Sequence, residues 1–316
     1  MMKLTRALLA LVPLLLVSRP AAGIDEMEGA RAVAMGGALR AAAASEAGIF
    51  LNPAGMPLTK AYSVQALFDF RPQDSTTAIG VAITDSVTNR AGVAAGLYYT
   101  FLNAEPKFTL DSTLGSIGYT RRGHEAGLAL AYPLAERFIL GVTNKYVYLN
   151  TTDETGNIPG ARSRGYTLDV GLVLRLSDAI NFAAVGQNVV PMKTWETPPT
   201  LGVGLALAAL QALVIDVDLV VRWLDYRDDQ KLRTVVNIKA GGEYFVGNKF
   251  PVRLGYSWDV PFRSLAVRTD VKGESFFHAG LGFMSTQFGI EAAVRQQLSG
   301  SEKETLLAFA LKLFVQ

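Results

Sequence analysis

Two histidines, His124 and His278, and no cysteine are all that a chain of 316 residues offers for imidazole or thiol chemistry. Serine-type catalysis needs a hydroxyl, an imidazole and an orienting carboxylate within hydrogen-bonding reach. Ser275 lies three residues from His278, and an odd offset along a strand sends two side chains to opposite faces. His124 stands with Arg121, Arg122 and Glu125 in a stretch that reads as a solvated turn. Two separated histidines without cysteine fall short of a typical zinc site. The carboxylates of Asp225, Asp228 and Asp229, and of Asp153 and Glu154, could touch calcium, but neither group has the ligand count that ion takes, and plain surface is the simpler reading. Gly202-Val203-Gly204 sits within a strand and lacks the helix a phosphate loop needs. No enzyme, metal or cofactor is expected.

The charged residues follow a different logic, a period of two. From Tyr166 to Leu176, Tyr166, Leu168, Val170, Leu172, Leu174 and Leu176 share one strand face, while Thr167, Asp169 and Arg175 share the other. The same split sets Ile215, Val217 and Leu219 against Asp216 and Asp218. It sets Ile238 and Tyr244 against Lys239 and Glu243, and Leu254 and Trp258 against Arg253 and Asp259. A soluble sheet buries its apolar face; a membrane barrel turns that face to lipid and encloses the charged one. The enclosed charges Asp169, Arg175, Asp216, Asp218, Lys239, Glu243, Arg253 and Asp259 carry both signs, which suits a filled barrel better than an ion-selective pore. Folding the hairpin about Asn248 puts Glu243 opposite Arg253, and the preceding hairpin could place Asp216 opposite Lys239.

Composition agrees. Hydrophobic residues make up 50% of the chain and charged residues only 18%, below the quarter or so usual in soluble domains. Yet no apolar run reaches the roughly 20 residues of a transmembrane helix. Candidate strands fall near 61–70, 76–84, 91–102, 112–121, 125–132, 136–149, 163–176, 178–187, 199–208, 211–222, 233–246, 250–259, 274–283, 285–296 and 304–315. Single-chain bacterial barrels normally have an even number of strands, so one assignment in this set, 61–70 or something in 91–121, must fail and fourteen is expected. Tight turns are expected near Pro133-Leu134, Ser177-Asp178, Ala209-Leu210, Gly247-Lys249 and Met284-Ser285, alternating with longer links at 150–162, 188–198, 223–232 and 260–273. Short periplasmic turns and longer external loops have that asymmetry. Trp223, Trp258, Tyr146 and Tyr148 sit near strand ends, where barrels carry aromatic girdles.

The N-terminus reads as a secretory signal peptide over residues 1–23: Lys3 and Arg6, an apolar Ala7–Val17, then small residues Ala21-Ala22-Gly23. Its removal takes away three cations and no acid, lowering the net charge of +2 to about −1, and no basic cluster interleaved with aromatics points to nucleic acid. Residues 24–60 differ from the barrel at 61–316. They are alanine-rich, broken by Gly36-Gly37 and stopped at Asn52-Pro53, since a residue before proline leaves the helical region. A short broken helix and a tight turn follow, with side chains small enough to pack inside something else.

Gly29-Ala30-Arg31-Ala32-Val33-Ala34-Met35-Gly36-Gly37-Ala38, followed by Phe50-Leu51-Asn52-Pro53-Ala54-Gly55-Met56, resembles the start of the FadL superfamily of outer-membrane barrels, most of all its PorV/PorQ branch. Ala240-Gly241-Gly242-Glu243-Tyr244 and Arg253-Leu254-Gly255-Tyr256 are similar to paired late strands of that branch. The resemblance implies an all-β, transmembrane antiparallel barrel of about fourteen strands, with an N-terminal helical hatch in the lumen. Arg31, Met35, Gly36, Gly37, Asn52, Pro53 and Gly55 would belong to the hatch. FadL-type members carry hydrophobic compounds across the outer membrane; PorV-type members hold partner proteins in secretion or surface machinery. The chain departs from the pattern at its end, Leu313-Phe314-Val315-Gln316, where the expected terminal aromatic comes two residues early.

With short links and balanced interior charge, the expected role is a non-enzymatic, partner-holding barrel of the bacterial outer membrane, contacting lipid and other envelope proteins. Trp195, in the proline-stiffened link 190–199, is the candidate partner contact, or equally a girdle tryptophan. The alternative is a FadL-type transporter for a hydrophobic small molecule, and the third possibility is a general pore.

Overall fold

The computed structural model describes residues 27–105, 107–111, 115–153, 161–192, 197–210, 212–226, 231–262, 273–300 and 303–315. The alternating segments form β1 (Tyr62–Arg71), β2 (Thr76–Asp85), β3 (Ala94–Ala104), β4 (Lys107–Asp111), β5 (Gly115–Ala135), β6 (Phe138–Asp153), β7 (Ala161–Arg175), β8 (Ile180–Gln187), β9 (Thr200–Leu210), β10 (Leu213–Tyr226), β11 (Lys231–Val246), β12 (Phe250–Phe262), β13 (Glu274–Met284), β14 (Phe288–Ser299) and β15 (Thr305–Val315). All pairings are antiparallel between chain neighbours, with two exceptions in connectivity. β1 closes on β15, and β3 passes over β4 to pair with β5. β4 pairs with the outer end of β5 as a hairpin extension, so the ring has fourteen strands.

The expected strands 112–121 and 125–132 are therefore one strand, β5, and the extra count arose there. The turn expected at Pro133-Leu134 falls instead at Glu136-Arg137. Pro133, which has no backbone donor, is carried inside β5 next to a register shift between Pro133 and Ala135. His124 also lies within β5 rather than in a turn.

Adjacent residues settle the orientation of the faces. Leu254 is 56% exposed and Arg253 is 1% exposed. Outward positions such as Leu128, Val217 and Leu281 are exposed, whereas inward Asp169, Asp218 and Glu243 are buried. That is the inverse of a soluble sheet. No described helix is long and apolar enough to cross a membrane; the strands make the crossing. The short links 136–137, 176–179, 247–249 and 285–287 share one end of the barrel with the start of β1 and the end of β15. By loop length this is the periplasmic end.

Inside the ring lie α1 (Ala30–Ala34), α2 (Glu46–Leu51) and a 3-10 turn, Pro53–Leu58. Asn52 ends α2 in an extended conformation (φ −161°, ψ 103°), as its position before proline requires. Ala32, Met35, Leu39, Ala43, Ala47 and Leu51 form the hatch's own apolar core. The expected signal peptide, residues 1–23, lies outside the described residues.

Candidate functional site

The site is the contact between hatch and wall. It begins with six alternating charges that leave the hatch, follow the wall and return. Arg31 of α1 donates to both oxygens of Glu243 on β11, at 2.8 and 3.0 Å. Glu243 accepts from Arg253 on β12 at 2.5 Å. Arg253 Nη2 lies 2.6 Å from Glu291 Oε1 on β14, and Glu291 Oε2 lies 2.8 Å from Lys312 Nζ on β15. Lys312 then pairs with Glu46, back on the hatch at the start of α2. Every wall member is buried, so these pairs are poorly screened, and loss of one partner strands a charge.

The hatch charges show it. Burial works against ionisation of Glu46, but Lys312 outweighs it and holds the carboxyl below its ordinary value. Burial also opposes the Arg31 cation, and Glu243 more than compensates, raising its pKa above the usual. Glu28 is half-buried, and burial works against its charge, yet Lys239, whose Nζ lies 3.5 Å away, holds it low.

β10 supplies a second anchor. Asp218 Oδ2 accepts from the backbone nitrogens of Leu39 and Arg40 at 3.1 and 3.2 Å and from Arg40 Nη1 at 3.0 Å. Asp216 Oδ2 accepts from the Ala42 nitrogen at 3.1 Å. Two wall carboxylates thus satisfy backbone donors of a non-helical segment that has no ladder of its own. A third anchor is Asn52. Its amide donates to Arg40 O on the hatch and to Leu172 O on the wall, and its oxygen accepts from the Ala54 nitrogen.

Glycines make room for these contacts. Gly36 and Gly37 turn the chain at φ of 72° and 70°, a region that favours glycine. A methyl on Gly241 would collide with the Met35 carbonyl, one on Gly255 with the Gly36 nitrogen, and one on Gly141 with the Ala54 nitrogen. Within the hatch, a methyl on Gly55 would strike the Ala43 carbonyl.

Of the expected hatch residues, Arg31, Met35, Gly36, Gly37, Asn52 and Pro53 meet the wall in this contact, and Gly55 packs within the hatch against Ala43. Of the expected lumen charges, Asp216, Asp218, Lys239, Glu243 and Arg253 touch the hatch or the charge chain. Asp169 instead pairs with Lys145 at 3.0 Å and accepts from the Asn188 nitrogen. Arg175 stands at the periplasmic end of β7 opposite Asn181, and Asp259 faces Glu274 near the other end, both apart from the chain. Glu243 is opposite Arg253, the register expected about Asn248. Lys239 is opposite Asp218, not Asp216, which faces Gly241; the strands meet two residues out of the expected register. Trp195 lies outside the described residues.

Sequence reasoning missed Glu291, Lys312, Glu46, Arg40 and Ser257. The alternation of β14 and β15 marks Glu291 and Lys312 as inward, and that signal was available. Glu46 and Arg40 are legible only once the hatch path is known. Ser257 belongs to the Ser–His contact that does occur: His278 donates from Nδ1 to the Val33 carbonyl (2.7 Å), leaving Nε2 to accept from the Ser257 hydroxyl (3.0 Å). The imidazole is oriented by a backbone carbonyl and buried beneath α1, so it serves as a strut between wall and hatch. Ser275 bonds Ser299 instead.

A cavity of about 20 Å³, lined among others by Met27, Phe50, Tyr98, Glu125, Lys145 and Asp169, lies on the external side of the Asn52–Ala54 turn. It holds roughly one water molecule.

This geometry has known counterparts. The monoaromatic hydrocarbon channel CymD matches with a TM-score of 0.68 at 12% identity, over 90% of this chain and 96% of that one. The fold is that of the FadL-type outer-membrane barrels. The toluene transporter TodX of Pseudomonas putida matches at 0.62 and 13% identity, over 90% and 96% of the two chains. A FadL homologue of Pseudomonas aeruginosa matches at 0.63 and 12% identity, over 90% and 98%. No family model matches the chain, and no curated protein is similar to it in sequence.

Proposed function

We propose that this chain is an exported barrel of the bacterial outer membrane that passes small hydrophobic molecules, with residues 1–23 removed on export, 24–60 acting as the hatch and 61–316 as the barrel. The observation that carries this reading is the closed lumen in a barrel whose length matches hydrocarbon channels nearly end to end. A general pore would leave a water-filled path, whereas here the hatch backbone packs against Gly141, Gly241 and Gly255 of the wall with no room for a methyl group. On the external side of the hatch turn, Met27 and the tilted pair Phe50–Tyr98, with ring centroids 4.9 Å apart, offer a thioether and aromatic faces to an arriving apolar molecule. Passage then requires the hatch to shift, because its ion pairs and its close contacts with wall glycines bind it across the lumen. The test is uptake in a strain expressing the barrel. Toluene accumulation should rise over the empty-vector strain, with no rise for a sugar of similar mass. Equal toluene uptake in both strains would end this reading.

A second reading has its own support. The dense hatch, with Glu28, Arg31, Arg40 and Glu46 each ion-paired to the wall, and the PorV/PorQ-like stretch Gly29–Ala38 suit a rigid barrel that holds envelope partners, with the Trp195 link as the contact. Asn188 pins the base of that link, donating to the Pro198 carbonyl. That reading requires a stoichiometric envelope complex in mild detergent, lost when residues 190–197 are replaced by a Gly-Ser linker.

A further inference from the structure

The outer wall of β5, β6 and β7 carries a charge pattern that neither transport nor partner holding uses. Antiparallel register sets Asn103, Arg122, Asn150 and Arg162 side by side on four adjacent strands, β3, β5, β6 and β7. One outward step toward the periplasm the row reads Phe101, His124, Tyr148 and Arg164, and the next contains Tyr99, Tyr146 and Tyr166. Arg122, Arg162 and Arg164 are exposed. The rings below them are in contact: Tyr99 Oη meets His124 Nδ1 at 2.7 Å, and the His124 ring stands 5.0 and 5.9 Å from Phe101 and Tyr148.

Three features give this patch a meaning. First, it lies at the external end, above the aromatic row, where a barrel meets lipid headgroups. Tyr132 marks the periplasmic edge of the same β5 face, ten residues from Arg122. That is about 33 Å along the strand and about 25 Å along the membrane normal at a usual tilt, the height of a barrel's apolar band. Second, the three arginines converge. Arg162 and Arg164 are two positions apart on β7 and Arg122 is two strands away, about 10 Å between backbones. Third, no acid occupies the outward positions of the two arginine rows; the exposed acid Glu105 lies just beyond the end of β3, one step further out.

We propose that this patch binds the phosphate groups of an outer-leaflet lipid: the arginines take the phosphates and the Tyr99–His124–Tyr148 rings support the sugar or acyl portion below. Guanidinium pairs with phosphate bidentately, and the aromatic row suits the boundary between headgroup and hydrocarbon. The inference holds whichever function the lumen serves.

The test uses the intact barrel in detergent, mixed with diphosphoryl lipid A or with the same lipid stripped of phosphate, with retained lipid read by native mass spectrometry. The barrel should hold the phosphorylated lipid on the order of a hundredfold more tightly than the R122Q/R162Q/R164Q variant does. The stripped lipid should bind both weakly and alike. The R122K/R162K/R164K variant should fall between. Equal retention of both lipids by the unmodified barrel, or full retention of the phosphorylated lipid by the glutamine variant, overturns the proposal. Heat-modifiable gel mobility checks folding. If the triple variant fails that check, the two-lipid comparison and single substitutions decide.

Discussion

Glu243→Gln is the sharpest perturbation of the hatch. Glu243 is shared between Arg31 on the hatch and Arg253 on the wall, at 2.8 and 2.5 Å. Glutamine keeps the shape but leaves one neutral carbonyl oxygen for two guanidinium groups. Removing one partner from a buried ion pair costs about 3–5 kcal/mol. The Arg253 share of that penalty persists whether the hatch is in or out, because both groups belong to the wall. Only the Arg31 share bears on docking. A charged, bidentate contact of this kind contributes about 1.5–3 kcal/mol. At about 1.4 kcal/mol per factor of ten, the undocked fraction should rise roughly ten- to a hundredfold. Single-channel recording in planar bilayers reads this as opening frequency, and protease clipping between residues 27 and 60 reads it independently. Asp85→Asn is the control: it alters only an exposed turn, where Asp85 accepts from the Val87 and Thr88 nitrogens, and should change neither readout. Unchanged opening and clipping in Glu243→Gln, or equal opening in the control, would refute the claim that the charge chain holds the hatch.

Gly141→Ala should loosen the hatch turn, since the new methyl collides with the Ala54 backbone; overpacking of this kind costs about 1–3 kcal/mol, and faster protease clipping at unchanged barrel mobility on gels would register it. Asn52→Ala removes donors to Arg40 O and Leu172 O and should cost about 1–3 kcal/mol, measured as a lower melting temperature of the folded gel band. The contribution of the Glu46–Lys312 pair to hatch docking should be constant with pH from about 8 to 5. Glu46 has its folded pKa depressed below the ordinary 4.5, so its contribution is complete above that value and is lost as pH falls through the folded one. An acid-induced rise in opening frequency that is identical in the Glu46→Gln variant would contradict this assignment.

Period-two alternation was enough to read the barrel and its inside-out faces, because each strand must present one face to lipid and the other to an enclosed interior regardless of its neighbours. Turn position was also enough for the Glu243–Arg253 pair, since a three-residue link between strands leaves one register. Where the link was longer, between β10 and β11, its length no longer set the register, and Lys239 met Asp218 rather than Asp216. Strand count failed locally for a related reason: the stretch around His124 looks like a charged turn in one dimension, yet it is a strand whose inward Arg121 and Glu125 are buried in the lumen. The closed circuit from Arg31 to Glu46 and the glycine seat under Met35–Gly36 were invisible in the sequence. They join residues more than two hundred positions apart, and only barrel closure of β1 on β15, with the hatch threaded through it, brings those residues within hydrogen-bonding distance.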